Sequence, residues 1–245
     1  SLLDHLGSGK DWDLARKYGG LVLLPPFGAI DNGGLCKNRL EALKGITGFL
    51  SRRNEDYVIL CDCDGVYRMD LSDVIDYHEK KQADITIVCH PEEIGNPSSY
   101  DIVKSDETGR VIGLEFNPKN KGKAKYYSNI MVINRTFLLN LINESISHGY
   151  KNFRDDIILV NLRRYNVYAY DFNGYHATID SLSSYFKHNM ELLDKKVRDE
   201  LFGARDIYTK VRDSAPTKYG FSSLVKNSLV SDGCVVEGTV ENSIL

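Results

Sequence analysis

The sequence lacks most of the features that announce a specialised class. No apolar run approaches the roughly 18 residues of a membrane-crossing helix, and the opening Ser1-Leu2-Leu3-Asp4-His5-Leu6 has neither the basic start nor the apolar core of a signal peptide. An excess of either charge is missing too: 31 Lys and Arg stand against 34 Asp and Glu, for a net charge of −3. Without a basic stripe, a dedicated nucleic-acid surface is not expected. The nearest thing to one, Lys119-Asn120-Lys121-Gly122-Lys123-Ala124-Lys125, reads as a solvated loop rather than a polyanion site. Cysteines are few, odd in number and scattered (Cys36, Cys61, Cys63, Cys89, Cys234), which gives no disulfide framework and favours a reducing, cytoplasmic setting. Cys61-x-Cys63 is tighter than the usual two-residue zinc spacing, and no histidine pair lies nearby. No initiating methionine precedes Ser1, so both ends are expected to be incomplete.

What is present is an ordinary globular composition, 42% hydrophobic and 27% charged. At 245 residues the chain exceeds the roughly 100–200 of one domain, so a large domain plus a fragment of another is expected. The most informative segment is Asp56-Tyr57-Val58-Ile59-Leu60-Cys61-Asp62-Cys63-Asp64-Gly65, an apolar run that stops on two carboxylates one residue apart. Mg²⁺ takes carboxylate oxygens and completes its shell with water and substrate phosphate, and ligands gather at the carboxyl ends of strands in α/β sheets. The plainer reading is that Asp and Gly end strands because they favour turns.

Helix-like and strand-like periods alternate through the middle of the chain. Leu40, Leu43, Ile46, Phe49 and Leu50 predict a helix before a strand at 57–61. Ser72 is the expected cap of a helix carrying Val74, Ile75 and Tyr77, followed by a buried strand at 84–89. That repetition predicts a parallel sheet covered on both faces. Residues 101–116 read as a hairpin turning at Asp106-Glu107-Thr108-Gly109, after which come a strand at 126–134, a helix from Arg135, a helix over Phe153 to Arg164, and a strand at 167–172, completing a mixed sheet. The last stretch, Ser228-Leu229-Val230 to Ser243-Ile244-Leu245 with Gly233 and Gly238 at corners, has the texture of a β-helix coil, with an ordinary hairpin as the alternative. A coil buries its face only when stacked, so most of such a domain is expected beyond Leu245.

Four ordered blocks carry a resemblance over nearly the whole chain: Ser1 to Trp12, Asp62 to Asp70, Tyr185-Phe186-Lys187-His188-Asn189-Met190-Glu191-Leu192-Leu193, and Pro216 to Leu245. Together they resemble bacterial glucose-1-phosphate adenylyltransferase, a family that makes ADP-glucose and pyrophosphate from ATP and glucose 1-phosphate in glycogen biosynthesis. The resemblance implies a Rossmann-like nucleotidyltransferase (GT-A-like) α/β domain over 1–200, a linker at 201–219, and the first coil of a left-handed β-helix at 220–245. It also implies Mg²⁺ and a tetramer. The family's Gly-rich nucleotide loop, which precedes the first block, is absent.

Against that pattern the chain departs at ligand positions. Asp64 matches the family's metal-binding aspartate, but Gly65 stands where a histidine commonly follows. The second metal aspartate corresponds to Thr178, a neutral hydroxyl, with Asp180 two residues on as a candidate substitute. The Phe-x-Glu-Lys-Pro block reads Leu114-Glu115-Phe116-Asn117-Pro118, putting Asn117 in place of a phosphate-binding lysine. The Ser-Met-Gly turn reads Ser128-Asn129-Ile130, and Gly-Thr-Ala-Asp-Ala reads Gly34-Leu35-Cys36-Lys37-Asn38. Glu115, Asn117, Ser128 and Thr178 are therefore expected as degenerate substrate positions, and Asp64 as a lone metal carboxylate. The implied role is a noncatalytic, regulatory subunit in a heterotetramer with a catalytic partner of the same family, with ATP, ADP-glucose or a small effector as ligands. The alternative is an active sugar-phosphate nucleotidyltransferase with an altered sugar pocket.

Overall fold

Strand succession explains the architecture of the computed structural model, which describes residues 2–24, 36, 38–94, 101–116, 122–203 and 207–245. Its strands are β1 (Tyr57–Leu60), β2 (Gly65–Tyr67), β3 (Ile85–Ile94), β4 (Asp101–Ser105), β5 (Val111–Phe116), β6 (Gly122–Asn134), β7 (Val167–Asp171), β8 (His176–Thr178), β9 (Lys218–Tyr219), β10 (Leu224–Lys226), β11 (Val235–Val236) and β12 (Thr239–Glu241). The helices are α1 (Leu2–Leu6), α2 (Arg39–Gly45), α3 (Thr47–Ser51), α4 (Leu71–Lys80), α5 (Arg135–His148), α6 (Leu182–Glu191) and α7 (Lys195–Phe202). They fall into two compact units, one of Leu24–Cys63 with Met69–Asn173, the other of Ser1–Leu23, Asp64–Arg68 and Gly174–Leu245.

The larger unit is a six-stranded sheet in the order β5-β4-β6-β3-β7, with β1 added on β6. It is mixed, and only β3 and β7 run parallel; β1, β3 and β4 are all antiparallel to β6, and β4 to β5. The mixed sheet expected for the whole domain is found, while the parallel run read from its first helix–strand repeats is limited to the pairing of β3 with β7. The continuous apolar runs arise because central strands are buried on both faces whatever their direction. Leu40, Ile85, Ile87, Met131, Ile133, Leu138, Ile142 and Ile157 form the core, all nearly inaccessible, each worth about 1.5–3 kcal/mol of burial. Helix α5 lays Leu138, Leu141, Ile142 and Ser145 inward at helical spacing. It starts where Asn134 accepts hydrogen bonds from the Thr136 and Phe137 amides, and stops at Gly149, whose φ of 68° is the left-handed stop that glycine tolerates.

Three local expectations change. Asp70, not Ser72, caps α4, because its carboxylate accepts from the Ser72 amide at 3.1 Å. The helix expected over Leu40–Leu50 breaks into α2 and α3 at Ile46, which leaves the helical region (φ −108°, ψ 10°). Residues Phe153–Ile158 form a π-turn followed by a 3₁₀ turn, Leu159–Asn161, rather than one helix to Arg164.

In the other unit, β2 and β8 pair antiparallel, and α6 begins with a reciprocal Ser181–Ser184 capping box. Tyr175 Oη donates to Glu191 Oε2 at 2.8 Å, and His188 Nδ1 lies 2.7 Å from the same oxygen, fastening α6 to the turn before β8. In the last segment β9 pairs parallel with β11, β10 with β12, and Leu229 bridges Ile244 in parallel. A hairpin cannot give parallel pairing. Asn227 and Asn242, both left-handed (φ 43° and 48°), stack fifteen residues apart through an Nδ2–Oδ1 bond of 2.7 Å.

Candidate functional site

The strand pairings on β6 are interrupted between Tyr126 and Met131. On one edge of β6, β1 pairs up to Met131 and β4 pairs only at Tyr126, so among the described residues the stretch between them has no strand beside it on that edge. On the other edge the register with β3 slips: Ile87 faces Met131, and Cys89 faces Tyr127. Two residues of β3 are thus matched by four of β6, a bulge that re-aims side chains as bulges do near sites. Asn129 sits in it with φ 58°, a left-handed conformation that Asn tolerates better than most residues.

A cavity of about 260 Å³ opens at this gap. Tyr127, Asn129 and Met131 of the bulge form one wall, and Asn38, Arg39 and Asp62 another. Asp101 at the start of β4 and Asn152, Phe153, Arg154 and Ile158 around the π-turn close it. Arg39 is positioned because Asn38 caps α2, accepting from the Glu41 amide at 3.0 Å. Its guanidinium donates to Asp62 Oδ1 at 2.5 Å, to Tyr127 Oη at 3.3 Å and to the Asn129 carbonyl at 3.3 Å. Burial works to lower its pKa, but Tyr127 and Asp62 more than offset that, so the group ends raised and stays charged. Burial likewise pushes the Tyr127 hydroxyl up, so it remains a neutral phenol.

Arg154 is held in the same way. Its Nη1 donates to Asp101 Oδ2 at 2.8 Å, its Nε to Asp155 Oδ1 at 3.0 Å, and its guanidinium carbon lies 3.7 Å from the centre of the Phe116 ring. Burial would lower this group as well, and the two carboxylates outweigh it. Each guanidinium in the cavity is therefore matched by a carboxylate. Bidentate and stacked Arg geometries of this kind are not reproduced by lysine.

In the smaller unit the antiparallel register sets Gly65 opposite Thr178, and the Ile179 amide donates to the Asp64 carbonyl at 2.8 Å. The backbone register thus places Asp64 and Thr178, the two positions that the resemblance assigned to the metal, on adjoining strands. Asp180 is engaged at the start of α6: hydrogen bonds from Ser184 and Ser181 hold its carboxyl below the usual range. Among the described residues, no three His, Cys, Asp or Glu side chains gather in a way that would hold a metal ion.

The remaining expected positions divide. Glu115 is an exposed residue of the hairpin, ion-paired across it to Lys104 at 2.8 Å; Phe116, next along, is the residue beneath Arg154. Ser128 is buried, its Oγ has no hydrogen-bond partner among the described residues, and it does not line the cavity. Asn117 lies outside the described residues, as do Gly34, Leu35 and Lys37. Within Ser128-Asn129-Ile130 the positive φ falls on Asn129, and Ile130 is a buried strand residue. Arg39, Asp101 and Arg154 were not singled out in the sequence. The signal that could have found both guanidinium groups is an Asn cap close before an arginine, at Asn38-Arg39 and at Asn152-Phe153-Arg154.

Comparison with known proteins agrees with this architecture. Residues 6–195 match the family described as nucleotidyl transferase. Among curated relatives, glucose-1-phosphate adenylyltransferases align over the whole chain: 30% identity for that of Clostridium novyi (65% of its length), 32% for Clostridium acetobutylicum (66%) and 31% for Thermosipho africanus (60%). The chain thus spans somewhat under two thirds of the length of these relatives. A family match that covers most of a mixed α/β chain, together with relatives that align along the whole of this chain, means that the chain belongs to the nucleotidyl transferase family.

Proposed function

We propose that the chain is a regulatory, catalytically degenerate subunit of glucose-1-phosphate adenylyltransferase, acting beside a catalytic partner of the same fold in a heterotetramer devoted to ADP-glucose and glycogen synthesis. The observation that carries this reading is the register of β2 against β8. It sets neutral Thr178 opposite Gly65, next to Asp64, where a second carboxylate would be needed to hold magnesium against hydration. The other nearby acids of the sequence are committed elsewhere, Asp62 to Arg39 and Asp180 to the serines of the α6 cap. This donor set does not suit Mg²⁺.

Nucleotidyl transfer rests on positioning and on neutralising charge over phosphate oxygens. Loss of one preorganised electrostatic group costs about 2.7–4 kcal/mol, a factor of about 10²–10³ in turnover. Thr178 for aspartate and Asn117 for lysine are two such losses. Regulation then comes from unequal contacts with two states of the partner. The parallel return of the last segment, with its stacked Asn227 and Asn242 corners, supports reading it as the first coil of a left-handed β-helix.

Measured alone with Mg²⁺, ATP and glucose 1-phosphate, the protein is expected to release pyrophosphate at less than about one hundredth the rate of a catalytic relative. Mixed with such a relative, it is expected to change that enzyme's kinetics or effector response. Turnover alone at a relative's rate, or no effect on mixing, refutes the reading. A second reading, an active transferase with a rebuilt sugar pocket, is favoured by the polar cavity that persists beside β6; the turnover assay alone separates the two.

A further inference from the structure

The cavity beside β6 has a charge pattern that the loss of turnover does not require. A phosphorylated ligand gains most from cations whose donors are free to form charge-assisted hydrogen bonds with it. Here both guanidinium groups already hold carboxylates, Arg39 with Asp62 and Arg154 with Asp101. A phosphate dianion entering must either break one of these pairs, leaving a carboxylate beside the new charge, or sit against carboxylates that repel it. A hydroxyl meets no such obstacle. Each is one donor and two acceptor lone pairs, able to donate to Asp62 or Asp101 while accepting from Arg39, Arg154 or the Asn129 amide. At about 260 Å³ the space lies below the 300–1,000 Å³ typical of drug-sized ligands, which suits a single sugar ring and not a nucleotide. Phe153 and Tyr127 supply the apolar surface against which the C–H face of a ring packs.

We infer that this cavity binds an uncharged polyol of monosaccharide size and discriminates against the same sugar carrying a phosphate. The inference rests on the regulatory reading, because it gives the subunit a ligand that a transferase would not turn over. The discriminating groups are the two carboxylates, Asp62 and Asp101, which act by keeping the guanidinium groups occupied.

Calorimetric titration without ATP or metal tests it, using D-glucose, glucose 1-phosphate and inorganic phosphate as probes on the unaltered protein and on Asp62→Asn. The unaltered protein is expected to bind glucose at least tenfold more tightly than glucose 1-phosphate. Asp62→Asn keeps the shape but frees the Arg39 charge, and is expected to raise the affinity for glucose 1-phosphate at least tenfold and to make inorganic phosphate a competitor. Tighter binding of glucose 1-phosphate than of glucose by the unaltered protein overturns the inference. So does the absence of glucose binding, or an unchanged response to phosphate in Asp62→Asn. Pyrophosphate release on the same preparation reports separately on the regulatory reading: a protein that turns over refutes that reading, whereas the glucose preference is decided by the titrations.

Discussion

Arg154→Ala is the perturbation whose cost can be worked most fully from the structure. The guanidinium ties three separate pieces of chain: Asp101 at the start of β4, the Phe116 ring at the end of β5, and Asp155 in its own π-turn. Its side chain is about one third exposed (35%) and that of Asp101 less (21%), so the ion pair is discounted for solvent to about 1 kcal/mol. Stacking over Phe116 adds about 0.5–1 kcal/mol. Leaving the half-buried Asp101 oxygen without its donor costs about another 1 kcal/mol. The total is about 2–3 kcal/mol, or a fall in Tm of about 5–10 °C for a chain of this size. Urea unfolding followed by near-ultraviolet circular dichroism is the assay, run as a double-mutant cycle with Asp101→Asn. The expected coupling is about 1 kcal/mol, and Arg154→Lys, which keeps charge but loses the fork and the stacking, is expected to lie between wild type and Ala. Additivity of the two substitutions within about 0.3 kcal/mol would show that Arg154 and Asp101 merely lie close together, and the reasoning about the cavity wall would fail with it.

Two further outcomes follow from buried polar groups and backbone geometry. His78 is buried with Nδ1 2.8 Å from Thr86 Oγ1, and burial holds its imidazole below the usual pKa. The folded state therefore favours the neutral ring, so stability is full above the unfolded value near 6.5 and falls as pH drops through the lowered folded value. Urea midpoints at pH 7.5 and 5.5 should show that fall in the native protein and lose most of it in His78→Leu/Thr86→Val, whereas Thr86→Val alone should cost about 1–3 kcal/mol at pH 7.5 by stranding the ring nitrogen. At Gly109, φ is 85° and an added Cβ would lie 2.6 Å from Tyr77 Oη, which is itself bonded to the Ala169 carbonyl at 3.0 Å. Gly109→Ala is expected to cost about 2 kcal/mol from left-handed strain and the clash, and an unchanged melting temperature would contradict it.

What was legible in the sequence was what is local. The 101–116 hairpin was readable because Asp106-Glu107-Thr108-Gly109 is a turn by its own chemistry: Asp106 accepts from the Thr108 and Arg110 amides, and Gly109 supplies the positive φ. Helix α5 was read as a helix from Arg135, where it begins. Strand direction was not legible, since a strand buried on both faces gives the same apolar run whether its neighbour is parallel or antiparallel. The π-turn at Phe153–Ile158 was hidden for a related reason, because its apolar spacing fits an α-helix equally well. At the candidate site, Asp64 and Thr178 were linked only through the family resemblance, and the register sets Thr178 opposite Gly65, the residue after Asp64. The pairs Arg39–Asp62 and Arg154–Asp101 join residues 23 and 53 positions apart, and no local rule assigns a partner over such a span. Glu115 stood out because of its place in a motif, yet its partner is Lys104 on the facing strand, a contact that depends on hairpin register rather than on the motif.

The bulge in β6 separates what the chain inherits from what it can change. Ile87, Met131 and Ile133 keep the sheet assembled, while the stretch between the pairings of β1 and β4 carries Asn129, beside which no strand lies on that edge among the described residues. Substitutions there alter what the cavity can recognise without touching the pairings that hold the sheet. A descendant gene can therefore lose one chemistry, acquire another, and remain visibly the same protein to any comparison that weighs the whole chain.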